Sequence, residues 1–341
     1  MKTEFNPSGF AQKNGNFIGL PYNEDEAKII LLPVPWEATV SYAAGTADGP
    51  ENIRDASYQL DLFDADVDDA YKIGIFMKET DEQIKDLSTL SREIATMHID
   101  NLENGHGIVQ EFVDKVNANS IKVNKWVKEQ CGDLIKKGKA VGLIGGEHST
   151  PLGYLDALSE KYSDFGILQI DAHCDLRKAY EGFTYSHASI FYNVLEEISA
   201  VSKLVQVGIR DYCEEEVDYI TNSNKRVEVF YDQAINESLF EGKSYREICL
   251  SIVEKLPQHV YISFDIDGLW PNLCPNTGTP VAGGLSLPQA FYLLKTLAES
   301  GKTIIGFDLC EVGSAEEWDG NVGARVVYKM ANLMGKTLGL V

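Results

Sequence analysis

An α/β fold built on a mainly parallel sheet is what this sequence predicts, and three observations carry that expectation. Short β-branched apolar runs alternate with longer amphipathic segments along most of the chain, the order of strands alternating with helices. Most of the runs are apolar on both faces, as in Gly166-Ile-Leu-Gln-Ile and Val260-Tyr-Ile-Ser-Phe, which fits strands covered by helices on each side. No Pro- or Ser-rich linker, internal repeat or low-complexity tract interrupts the pattern, so residues 1–341 read as a single domain with the first ~25 as an extension.

In chain order, Lys28 to Val34 and Lys72 to Phe76 read as strands, followed by amphipathic helices at Asp81 to Asn104 and Ser120 to Lys137. Ala140 to Ile144 is a strand, Thr150 to Lys161 a helix, and Gly166 to Ile170, Leu204 to Val207 and Val227 to Tyr231 are strands. A helix at Ser244 to Leu256 precedes a strand at Val260 to Phe264. The helix from Leu287 to Ser300 has a capped start, Ser286-Leu-Pro-Gln, with Pro288 in its first turn. Thr303 to Phe307 closes the strands and Asn321 to Met334 the helices. Pro35 to Asp66 and Asp267 to Ser286 are irregular, as functional loops often are.

Composition excludes several function classes. The 341 residues are 44% hydrophobic, enough for a large core. A net charge of -22 repels phosphate backbones and anionic membrane surfaces, so no nucleic acid and no membrane is expected as partner. The six cysteines, Cys131, Cys174, Cys213, Cys249, Cys274 and Cys310, are dispersed without a CxxC pair and read as reduced. Met1 to Gly15 lacks the pattern of a secretory signal, and a cytoplasmic location is expected.

The chemistry lies at three strand ends. Gly145-Gly-Glu-His148-Ser follows one strand, Asp171-Ala-His173-Cys-Asp175 a second, and Asp265-Ile-Asp267-Gly a third. Ligands gather at such carboxyl ends in parallel sheets. Residues two apart in an extended segment face one side, so Asp171, His173 and Asp175 share a side, as do Asp265 and Asp267, while Cys174 points away and packs. A lone Asp-x-Asp serves as a turn or cap and a lone His as a satisfied polar residue. Four carboxylates and two imidazoles in one cleft instead call for cations. A thiolate-poor set suits Mn²⁺, and two ions about 3.5 to 4 Å apart can activate a shared water.

These segments resemble the ureohydrolase family of arginases, agmatinases and related guanidino-acid hydrolases, from about Lys28 to Leu338. The resemblance implies a three-layer α/β/α sandwich of the arginase-like kind and two Mn²⁺ ions per subunit. It implies His148, Asp171, Asp175 and Asp265 around one metal and Asp171, His173, Asp265 and Asp267 around the other. Glu147 departs from the Asp usual in the family, conservatively. Glu311, in Gly306-Phe-Asp-Leu-Cys-Glu, matches the carboxylate that holds the guanidinium, and His187, in Tyr185-Ser-His-Ala, the proton relay; Asp175 joins them as a candidate catalytic group. Homotrimers or homohexamers are implied.

Cleavage of a small cationic guanidino substrate to urea and an amine follows. Asp175-Leu-Arg and Tyr185-Ser-His-Ala look most like the archaeal-type agmatinases, which favours agmatine. Arginase, guanidinobutyrase, formimidoylglutamase and guanidinase activities stay open. Arg177 and Glu181 are the candidate substrate-binding residues: paired with each other they favour agmatine, whereas a free Arg177 facing the cavity favours arginine or a guanidino acid. A metal phosphoesterase would need a phosphate cradle that the sequence lacks. A non-catalytic metal-stabilised scaffold would have no use for Glu311 and His187.

Overall fold

The computed structural model describes residues 5–341. Among these residues eight strands form one sheet: β1 (Ile29–Val34), β2 (Ile75–Met77), β3 (Ala140–Gly145), β4 (Phe165–Ile170), β5 (Val201–Ile209), β6 (Val227–Tyr231), β7 (His259–Asp265) and β8 (Thr303–Cys310). Their order is β2-β1-β3-β8-β7-β4-β5-β6, and every neighbouring pair is parallel. All carboxyl ends therefore open on one edge. The last two strands of the sequence lie between β3 and β4, which makes the ends of β3, β8, β7 and β4 neighbours.

Among the described residues ten α-helices cover the two faces: α1 (Gly49–Ser57), α2 (Glu82–Glu103), α3 (Gln110–Lys136), α4 (Leu152–Ser159), α5 (Ile190–Glu197), α6 (Glu214–Asn222), α7 (Asp232–Phe240), α8 (Tyr245–Glu254), α9 (Leu287–Glu299) and α10 (Glu317–Thr337). Alternation along each strand divides its side chains between two cores. Ile29, Leu31, Leu168, Ile170, Ile262 and Phe264 pack with α8, α9 and α10. Ile30, Leu32, Phe165 and Ile167 pack with α2, α3, α4 and α5. The arrangement is the expected three-layer α/β/α sandwich with a parallel sheet.

Where boundaries differ from the sequence reading, local chemistry explains it. The strand expected from Lys72 starts at Ile75, because Ala70–Ile73 forms a single 3-10 turn ended by Gly74 at φ 77. The helix expected from Ser120 starts at Gln110; Ser120 lies inside it and bonds back to the carbonyl of Val116 at 3.0 Å. The short α1, α5, α6 and α7 were not anticipated. Of these, α6 carries a readable start, since three glutamates fill its first turn and Glu216 accepts the N–H of Cys213 at 3.0 Å. Ser286 and Gln289 cap α9 reciprocally, as expected.

Part of the N-terminal extension is stitched into the fold. Asn16 donates to the carbonyl of Ile75 at 3.1 Å and accepts the N–H of Met77 at 2.9 Å, and Phe17, Ile18 and Leu20 are buried. The connection after α1 is pinned to α10 by charge. Lys329 Nζ bonds Asp64 at 2.7 Å and Asp66 at 2.6 Å, Asn332 donates to Asp64 at 3.0 Å, and Lys295 reaches Asp66 at 2.6 Å. Among the described residues no helix is long and apolar enough to cross a membrane.

Candidate metal centre

Each ligand-type side chain is placed by the end of a strand. After β3 the chain passes so close to the segment following β1 that a Cβ on Gly146 would lie 2.1 Å from the carbonyl of Trp36. Only glycine permits that crossing, and it sets His148 directly above the sheet. After β4, Asp171, His173 and Asp175 follow in alternation, with Asp175 in the left-handed region at φ 54. Asp265 ends β7, and its carboxylate accepts the N–H of Asp267 at 2.9 Å in the turn that follows. Glu311 follows β8 at φ 63, its N–H bonded to the carbonyl of Gly146 at 2.8 Å.

The structure brings all six expected ligand residues together. His148 Nδ1 lies 3.1 Å from Asp171, 3.1 Å from Asp175 and 3.3 Å from Asp265. His173 Nδ1 lies 3.0 Å from Asp267 and 3.6 Å from the other oxygen of Asp171. Two groups of potential ligand atoms result, one of His148, Asp171 and Asp265 and one of Asp171, His173 and Asp267, with Asp171 in both. Cys174, as expected, turns away into the core on the α2–α5 face.

Electrostatically the cluster is unfinished. Burial pushes the Asp265 carboxyl well up, and neighbouring Asp267 and Asp171 push it further. Asp175 is raised by burial and by Asp171, whereas Asp171 is held low against its burial by His148 and His173. His148 Nδ1 and Asp267 Oδ2 are buried without a hydrogen-bond partner. Orphaned donors and acceptors at the meeting point of four carboxylates and two imidazoles fit divalent cations, which would satisfy both.

Behind the cluster, hydrogen bonds hold its members in place. His148 Nε2 meets Ser263 Oγ at 2.9 Å, and that hydroxyl donates to the fully buried Asp308 at 2.8 Å. Gln206 donates to Gln169 at 2.6 Å, and Gln169 donates to Asp171 at 2.8 Å. Such partners fix ring and carboxylate orientation. Glu311 Oε1 accepts the N–H of His148 at 2.8 Å, leaving Oε2 buried and without a partner. A Cβ on Gly278 would lie 3.0 Å from that oxygen.

A cavity of about 380 Å³ opens above the cluster, lined by His173, Asp175 and His187 and, further out, by Tyr42, Arg177, Tyr180, Asp211 and Tyr212. Burial drives His187 down to about 3, so it is neutral at pH 7. Arg177 and Glu181 do not pair with each other. The Arg177 guanidinium lies over the ring of Tyr180, 5.1 Å from its centroid, and faces the cavity. Glu181 is not among the side chains lining that cavity. Its backbone is left-handed at φ 53, its carbonyl meets His98 Nε2 at 2.8 Å, and burial raises its carboxyl to about 7. Sequence reasoning missed Thr39, Tyr42, Asp211 and Tyr212, although they follow β1 and β5, where the same strand-end rule applies.

Comparison with known proteins agrees with this geometry. The profile of the Arginase family matches residues 27–334. The N(1)-aminopropylagmatine ureohydrolase of Thermus thermophilus is 31% identical over 321 residues, covering 94% of both chains. The agmatinase of Neisseria meningitidis is 28% identical over 338 residues, 96% of this chain and 95% of that one. Among solved structures, the agmatine ureohydrolase of Thermoplasma volcanium has a TM-score of 0.71 at 20% identity, covering 95% of each chain, a likeness of fold.

Proposed function

The chain belongs to the arginase family, and from that premise we propose that it hydrolyses the guanidinium group of a small cationic substrate, agmatine or a longer amine-bearing guanidine, to urea and an amine. The observation that carries this reading is the meeting of six ligand-type side chains from neighbouring strand ends beside the free oxygen of Glu311. His148, Asp171, Asp175 and Asp265 would hold one divalent cation, and Asp171, His173, Asp265 and Asp267 a second, with Mn²⁺ favoured by the carboxylate and imidazole donors. Bound there, the pair would supply Lewis acidity and an activated water.

The chain's own residues do the rest. Glu311 Oε2 accepts N–H groups from one edge of the planar guanidinium, a charge-assisted contact that sets its orientation. His187, neutral and at the cavity wall, takes up a proton from cavity water at its free ring nitrogen and passes that proton to the departing nitrogen, returning to the neutral form. Asp175 combines ligation with a place on the cavity wall beside the reacting group. At the mouth Asp211 is an exposed carboxylate able to receive a distal ammonium. One observation favours a second reading: Arg177 faces the cavity without a carboxylate partner, which would suit arginine or another guanidino acid.

A cytoplasmic setting agrees with six free cysteines, and assembly into trimers or hexamers can be read by light scattering. The deciding experiment is urea release with added Mn²⁺ from agmatine, N(1)-aminopropylagmatine, arginine, guanidinobutyrate, formiminoglutamate and guanidine, with formamide followed alongside. Turnover of the amine-bearing pair is expected. Preference for a guanidino acid would shift the assignment to the second reading, and inactivity towards all six would overturn both.

A further inference from the structure

The segment after β1 is held over the centre from several sides. Glu147 is fully buried and accepts the N–H groups of Ala38 and Thr39 at 2.9 and 2.7 Å. It also accepts the hydroxyls of Ser149 at 2.6 Å and Thr39 at 3.1 Å. Arg92 bonds the carbonyl of Val40, and Glu37 accepts the N–H groups of Gly45 and Ala47 at 2.9 and 3.0 Å. The segment is thereby a rigid mount for Thr39. That hydroxyl meets His187 twice, accepting its backbone N–H at 3.1 Å and lying 3.1 Å from its Nδ1.

A threonine hydroxyl has one proton to give and two lone pairs to offer. The backbone N–H groups of Ala38 and Thr39 can only donate to Glu147, and towards an ionised carboxylate the Thr39 hydroxyl, 3.1 Å from both oxygens, can only donate as well. Thr39 can then only accept from His187, which requires a proton on Nδ1. We propose that Thr39, mounted on Glu147, fixes His187 in the tautomer protonated at Nδ1 and leaves Nε2 as the atom free to exchange a proton. Both are positioning residues, and the inference rests on the proton-transfer role given to His187 above.

The test compares Thr39→Val, which keeps the shape and removes the hydroxyl, with Thr39→Ser, which keeps the hydroxyl. With a substrate the parent turns over, Thr39→Val should lower kcat by roughly 10- to 100-fold with KM and metal content unchanged, whereas Thr39→Ser should stay within about threefold of the parent. Two-bond ¹H–¹⁵N spectra of histidine-labelled protein loaded with diamagnetic Zn²⁺ read the tautomer without turnover. Of the six histidine signals, the one lost in His187→Ala should show a protonated Nδ1 in the parent and in Thr39→Ser, and a tautomer mixture in Thr39→Val. Parental kcat and an unchanged tautomer in Thr39→Val would overturn the inference alone. Equal losses in both Thr39 variants, accompanied by lower melting temperatures, would reduce Thr39 to a structural part and overturn it too. Full activity in His187→Ala would remove the proton-transfer role and the inference with it.

Discussion

Two groups of acids in this protein, one partly buried and one buried, answer the same problem in opposite ways. Asp64 and Asp66 are matched by cations carried on the chain itself, Lys329 and Lys295, with Asn332 completing the set. Burial alone would raise Asp66, but hydrogen bonds from Lys295 and Lys329 outweigh it and hold the carboxyl below its ordinary value. The carboxylates of Asp171, Asp175, Asp265 and Asp267 have no lysine or arginine paired with them among the described residues, only two imidazoles, and burial with mutual repulsion raises Asp175 and Asp265. Acids matched by tethered cations lock loops to helices. Acids left unmatched at the floor of a cavity are held ready for cations from solution.

The comparison breaks most severely at Asp265. Asp265→Asn should abolish turnover and release metal, because the proposed bridging oxygens serve both ions, yet in chelated protein it should not lower the melting temperature, since a repelling carboxylate has gone. Metal analysis and thermal unfolding of the same sample read both effects; full metal content would remove the bridging role. Lys329→Met should behave in the reverse way, costing about 1 to 3 kcal/mol in urea unfolding by removing the cation shared by two partly buried carboxylates that keep Lys295 and Asn332, with kcat unchanged in protein that remains folded. A loss of kcat with unchanged stability would contradict the division between the two groups.

Smaller effects sharpen it. His187→Ala should keep its metal and slow turnover by roughly 10²-fold, measured as kcat at saturating substrate. Asp66 supplies a pH signature: because its native pKa lies below the ordinary 3.8, its contribution is complete above that value and is lost as pH falls through the lowered one. The urea midpoint of the parent should therefore fall faster than that of Asp66→Asn as pH drops below about 4. Parallel slopes would show that Asp66 contributes nothing specific.

Much of this was legible in the sequence, for identifiable reasons. Period-two alternation and the apolar runs gave the eight strands and the facing of Asp171 and His173, since both follow from local backbone geometry, whereas Asp175 reaches the cluster through a left-handed backbone that alternation does not describe. Strand order was not legible: that β7 and β8 insert between β3 and β4 is a long-range outcome, and it alone makes His148, Glu311 and Asp265 neighbours. Short helices such as α5 and α7 escaped because eight or nine residues carry too little periodicity. Thr39 was missed because its role depends on the hydroxyl's partners, which lie far away in sequence at Glu147 and His187. Whether Arg177 and Glu181 pair was left open by their spacing, because the left-handed backbone at Glu181, which sends the two side chains to different surroundings, leaves no mark in the sequence.

Anomalous diffraction at the manganese edge from Mn²⁺-soaked crystals tests the reading at its centre. Two peaks are predicted, one enclosed by His148, Asp171, Asp175 and Asp265 and the other by Asp171, His173, Asp265 and Asp267. No signal there, or peaks only at the Asp64 and Asp66 cluster, would contradict it.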